Sequence, residues 1–117
     1  MFRQTVAGLV LLFTSAVSVT ADTTIKVKAD FERIVVGRDL TLFAIRVTVS
    51  PDGQIKGRAY GTPVTGKWRW QDGFFCRDLY WGKRDLGPNC QEVKVHGNKV
   101  RFTSDRGSGQ HADLTMN

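Results

Sequence analysis

The chain of 117 residues has two cysteines, two histidines and three prolines, and each shortage excludes something. Two thiols cannot build a four-sulfur zinc or iron–sulfur centre. Neither His96 nor His111 has a second imidazole or a thiolate at ligand spacing, so no metal or haem is expected. Missing too are a G-x-S-x-G elbow, an H-E-x-x-H helix and a Gly-rich turn that opens a helix, so no nucleotide cofactor is expected either. Gly107-Ser108-Gly109 is the nearest imitation, with too little chain after it for a crossover. Asp78 and Glu92 imitate a glycosidase pair if they face each other on neighbouring strands, but any charged hairpin offers such a pair by chance. The expectation is a protein without catalytic residues. With 41% hydrophobic and 24% charged residues it should nonetheless fold, as one domain.

Long apolar runs are scarce as well. The one candidate, Val6 to Val19, falls short of the roughly 20 residues that cross a bilayer. It follows Arg3 and ends in the small residues of Val19-Thr20-Ala21, the pattern of a secretory signal peptide cleaved after Ala21. Residues 1–21 are thus read as a leader and 22–117 as a single β domain, periplasmic or secreted, with no transmembrane span after cleavage. Without Arg3, the 17 basic and 11 acidic side chains become 16 and 11, a mature net charge of +5. In an oxidising compartment Cys76 and Cys90 are expected to form a disulfide. It closes a loop of about 15 residues, for which the chain-entropy model gives roughly 3 kcal/mol.

What is present is a regular period of two. Ile25, Val27 and Ala29 alternate with polar neighbours as a strand would, but Arg33 breaks the alternation. A short helix from Phe31 places Phe31, Ile34 and Val35 on one face, with Asp30 as its cap, Glu32 in its first turn and Gly37 at its end. Beyond Gly37, Ile45-Val47-Val49, Ile55-Gly57-Ala59 and Val64-Gly66-Trp68-Trp70 form inward rows, separated by turns at Pro51-Asp52-Gly53 and Gly61-Thr62-Pro63. Gln71-Asp72-Gly73 leads to Phe74–Trp81, Gly82–Asn89 is the longest connection, and three strands follow: Cys90–Val95, Lys99–Ser104 and Gln110–Met116. The count after Gly37 is eight if Leu40–Phe43 pairs separately from Ala44–Ser50, and seven otherwise. The fold expected is mainly β: an antiparallel up-and-down meander of seven to eight strands, curled or barrel-like, with one short N-terminal helix. A flat meander capped by the helix is the alternative. Trp68 and Trp70 are expected in the core, or lining a small apolar cavity beside Gly57, Ala59 and Gly66.

The outward register carries Arg46, Lys56, Arg58, Lys67 and Arg69 on three successive strands, a row suited either to solvation or to docking on a polyanion. For an exported protein the anionic candidates are an envelope component, such as a lipid head group or wall polymer, or an acidic protein; nucleic acid is not expected there. A second candidate surface is Phe75, Arg77, Tyr80 and Trp81 with Asp105-Arg106-Gly107, where Arg77 and Asp105 could also pair to pin a loop. The function expected is an exported non-enzymatic β-module that binds an envelope partner through this basic face; the alternative is a carrier of a small apolar ligand.

The run Trp68-Arg69-Trp70-Gln71-Asp72-Gly73-Phe74-Phe75-Cys76-Arg77, with Cys90-Gln91 and Arg101 to Gly109, resembles a family of small uncharacterised exported bacterial proteins. Some of these carry the label dihydrodipicolinate reductase. The resemblance covers most of the mature chain and supplies no active site. A reductase of that name needs a βαβ nucleotide-binding unit of about 30 residues, and a chain that reads almost wholly as strand has no room for one.

Overall fold

The computed structural model describes residues 22–117 together with Gly8; the leader expected over residues 1–21 otherwise lies outside the described residues. The chain runs β1 (Thr23–Ile25), α1 (Lys28–Ile34), β2 (Asp39–Leu42), β3 (Ile45–Val49), β4 (Gln54–Ala59), β5 (Thr62–Gln71) and β6 (Phe74–Trp81). It continues through β7 (Arg84–Asp85), β8 (Asn89–His96), β9 (Lys99–Thr103) and β10 (His111–Met116). All pairings are antiparallel. Strand β2 pairs separately from β3, which settles the count left open by the sequence. The order β8-β9-β10-β2-β3-β4-β5-β6 closes because β6 returns to β8, making a closed eight-stranded barrel rather than a flat meander. Closure leaves no long edge exposed.

The seam is short. Strands β6 and β8 pair only through Phe75–Gln91, Cys76–Cys90 and Arg77–Asn89, and the middle pair is joined by the disulfide. Below the seam β8 runs on, and β1 takes up its free edge through Thr23–Val95 to Ile25–Val93, so β1 and β6 lie end to end along one strand. Above it, β6 pairs with the two-residue β7 instead. Two glycines allow the tight curvature. A side chain at Gly57 would run into the Arg46 carbonyl, and one at Gly66 into the Asp78 carbonyl.

Three local expectations are corrected. The helix starts at Lys28 rather than Phe31, with Val27 as its extended N-cap and no side-chain cap. Asp30 therefore lies inside the first turn, where it pairs with Arg33 at 3.3 Å instead of capping. The strand alternation through Val27 and Ala29 stops early because the edge of β8 beyond Ile25 is where β6 must dock. Likewise the second turn is Tyr60-Gly61, with both residues at positive φ (52° and 77°), while Thr62 and Pro63 already belong to β5.

Helix α1 plugs one end of the barrel. Phe31 and Val35 are fully buried, and the Phe31 ring lies 5.3 Å from Trp68, 5.1 Å from Trp70 and 5.1 Å from Phe75. The indole of Trp68 donates to the Ser50 carbonyl at 2.8 Å, and that of Trp70 to the Lys26 carbonyl at 3.2 Å. A helix of two turns is marginal alone, so these aromatic contacts are what hold it.

Candidate functional site

Inward residues at the other end of the barrel do not meet a plug. Leu40, Val49, Ile55 and Val64 are buried, but Val47 and Leu79, in the middle of their strands, are only half-buried. They surround a chamber of about 160 Å3, whose wall includes Leu40, Val47, Val64, Phe75, Phe102 and Leu114. A wider vestibule of about 340 Å3 adjoins it, sharing Val47, Val64, Leu79, Ala112 and Leu114. Its outer wall is Leu42, Ile45, Tyr60, Trp81 and Leu86. An eight-stranded barrel is just wide enough either to be filled by side chains or to leave room inside; in this chain the helix end is filled, and the chamber and vestibule are the space left beyond it.

The rim of the opening is apolar and exposed. Phe43 is 86% exposed and Tyr60 63%, with Leu42 and Leu86 each at 46%. Tyr60 sits at φ 52°, a conformation costly for a bulky residue. Among the described residues, the polar side chains that line the chamber are Arg77 and Gln91. Arg77 shares the inward register of Phe75 and Leu79 and lies opposite Trp68. It donates to the Gly87 carbonyl at 2.7 Å. Gln91 donates to the Ser104 hydroxyl at 3.1 Å.

Trp68 and Trp70 therefore do not line the cavity: they belong to the plug, the chamber begins beyond it with Phe75 between the two, and the vestibule lies at the far end of the barrel. The aromatic–arginine group around the disulfide also divides. Phe75, 4% exposed, is core packed against Phe31, Trp68 and Phe102, and is closed to any partner surface. Trp81 faces the vestibule and donates its indole N–H to the Ala59 carbonyl at 2.9 Å. Arg106 stays outside, 5.4 Å over the ring of Phe74 rather than beside Phe75. Arg77 does not pair with Asp105. Asp105 is held by Asn89, which donates to its carboxylate at 3.0 Å and accepts from its backbone N–H at 2.9 Å. The division follows from the register of β6 on β5: Arg77 lies opposite the inward Trp68, so Phe75, Leu79 and Trp81 share its face.

Each of Arg46, Lys56, Arg58, Lys67 and Arg69 is exposed in the outward register of β3, β4 and β5. Arg46 lies directly opposite Arg58, Lys56 between Thr48 and Thr65, and Lys67 between Gln54 and Asp78. Asp39 approaches Arg46 at 3.8 Å, Arg58 donates to the Gly61 carbonyl at 3.0 Å and Arg69 to the Gln71 side chain at 3.0 Å.

The chance pairing of Asp78 with Glu92 is not assembled. Asp78 lies opposite Lys67, Glu92 lies opposite Thr103 beside Lys94, and the two acids fall beyond opposite ends of the β6–β8 seam. No group of three or more metal-ligating side chains is found among the described residues. No helix among them is long and apolar enough to cross a membrane. Comparison with family models, with curated proteins and with solved structures finds no match to this chain.

Proposed function

We propose that this chain is an exported, non-enzymatic β-barrel that carries one small apolar molecule in the unplugged half of its interior. The observation behind the reading is the asymmetry of the barrel: an apolar chamber and vestibule at the end opposite the helix, opening through an exposed apolar rim. Apolar walls release ordered water when a ligand enters, and each buried methylene contributes about 0.8 kcal/mol. The leader pattern of residues 1–21 and the Cys76–Cys90 disulfide support a periplasmic or secreted location.

Decanol titrated into the mature protein should bind saturably with one-to-one stoichiometry, read by calorimetry and by the fluorescence of Trp81 in the vestibule wall. Replacing Ala112, exposed at the mouth on the inward register, by Trp should block uptake while the melting temperature stays within a few degrees. Failure of the wild-type protein to bind decanol and decanoate alike would remove the carrier reading.

A second reading concerns the outer face, and the facing of Arg46 and Arg58 favours it. Like charges directly opposite on paired strands are destabilising, and an anionic surface would relieve that repulsion for Arg46, Lys56, Arg58, Lys67 and Arg69 together. In this reading the barrel docks on an anionic envelope component and delivers or collects its ligand there.

A further inference from the structure

We infer that the ligand is an amphiphile with a carboxylate head, and that the guanidinium of Arg77 is the group that receives the head. The inference rests on the carrier reading and narrows it from apolar molecules in general to monocarboxylates with an alkyl tail.

Three observations carry it. First, Arg77 projects from the inner face of β6, between Phe75 and Leu79, into a wall otherwise built almost wholly of aliphatic and aromatic side chains. A cation there is expensive to desolvate without an anion. Second, no carboxylate among the described residues supplies that anion. Asp78, next in sequence, points to the outer face opposite Lys67; Asp85 accepts from the Gly87 N–H; Asp105 is held by Asn89; Glu92 lies beside Lys94. Third, one hydrogen bond, to the Gly87 carbonyl, engages the group. No buried side-chain nitrogen or oxygen among the described residues lacks a partner, so the remaining guanidinium N–H groups face accessible space. A guanidinium presents paired N–H groups that match the two oxygens of a carboxylate.

Burial lowers the Arg77 pKa, with Asp78 acting in the opposite direction. The group still carries its charge at neutral pH, as arginine does in proteins. Among the described residues, Arg77 is the one charged side chain in the chamber's lining, which suits a monoanion, and the adjoining vestibule of about 340 Å3 offers apolar space for the tail. Arg77 also borders an outer cleft at the seam, lined by Arg69, Arg106, Asn89 and the Asp105 that Asn89 holds, so the head would lie next to the seam.

The test compares decanoate, decanol and decyl phosphate on the wild-type mature protein and on Arg77→Met and Arg77→Lys, by calorimetry at low salt and neutral pH. Wild type should bind decanoate at least tenfold more tightly than decanol. Arg77→Met should bring the two within about twofold by weakening decanoate alone, and Arg77→Lys should restore part of the preference. If Arg77 serves only to pin the 86–88 loop through Gly87, the substitution changes melting temperature and both affinities alike, which overturns the inference. Equal wild-type affinities for decanoate and decanol overturn it while leaving the carrier reading intact. Tighter binding of decyl phosphate than of decanoate overturns the carboxylate assignment. If Arg77→Met fails to fold, the decanoate-to-decanol ratio of wild type against Arg77→Lys decides: a smaller preference in the lysine variant supports the inference, and an unchanged one overturns it. Binding of neither decanoate nor decanol by wild type removes the carrier reading, and the inference with it.

Discussion

The two ends of this barrel are made from the same kinds of residue and reach opposite outcomes. At one end a seven-residue helix inserts Phe31 among Trp68, Trp70, Phe75 and, through Phe75, Phe102, and the interior is sealed. At the other, Ile45, Val47, Leu79 and Ala112 face inward with nothing to fill the space between them, and Phe43 and Tyr60 stand in solvent. Inward rings decide the matter: they converge where the helix supplies one more ring, whereas at the open end Trp81 stands among Val, Leu, Ile and Ala with no such ring to meet it. Stability is therefore expected to reside in the plugged end, and ligand capacity in the open one.

The sharpest way to break that contrast is to truncate one residue at each end. Phe31→Ala removes the centre of the aromatic cluster and should cost about 3–5 kcal/mol in denaturant unfolding. Leu86→Ala, at the half-exposed rim, should cost no more than about 1 kcal/mol. Comparable losses at the two sites would mean that the open end is packed in solution.

Next in size is the seam. The β6–β8 pairing that closes the barrel spans three residue pairs, so the Cys76–Cys90 bond reinforces a seam held by little else. Reduction should destabilise the protein by about 3 kcal/mol. Mass spectrometry of the unreduced protein should find no alkylatable thiol; two would contradict the disulfide.

The smallest effect on stability is expected on the outer face. Lys56→Glu with Arg58→Glu should change the unfolding free energy by about 0.5 kcal/mol or less, because both side chains are exposed. The same double variant should lose association with vesicles containing anionic lipid. In the wild type that association should weaken steeply as salt rises from about 0.1 M to about 1 M, as the Debye length falls from about 10 Å to about 3 Å. Unchanged vesicle binding with unchanged melting would reduce the row to a solvated surface.

Much of this architecture is legible in the residues. The alternation from Ile45 to Trp70 sets both faces of β3, β4 and β5, including the outward positions of Arg46, Lys56, Arg58, Lys67 and Arg69. The even cysteine count gives the cross-link, and the number of strands in so short a chain points to a curled or closed sheet. The register of closure is not legible, because it depends on β8 sharing one edge between β1 and β6. That sharing is what truncates the N-terminal strand and moves the helix start from Phe31 to Lys28. Nor does the sequence tell which end the tryptophans occupy: a row of Trp68 and Trp70 reads alike as plug and as cavity wall until Phe31 is placed against both. Phe74–Trp81 is apolar on both faces, so its inward set emerges only from pairing with β5, and with it the inward position of Arg77.

The central claim is that the unplugged half of the barrel holds a single small apolar molecule. It is tested most directly by methyl-resolved NMR of the folded mature protein, labelled at Ile, Leu and Val and titrated with decanol. The account predicts saturable shifts at one-to-one stoichiometry for Leu40, Val47, Val64, Leu79 and Leu114, with Val35, the buried C-cap of the helix, unmoved. Shifts confined to rim residues such as Leu42 and Leu86, growing linearly without saturation, would contradict it.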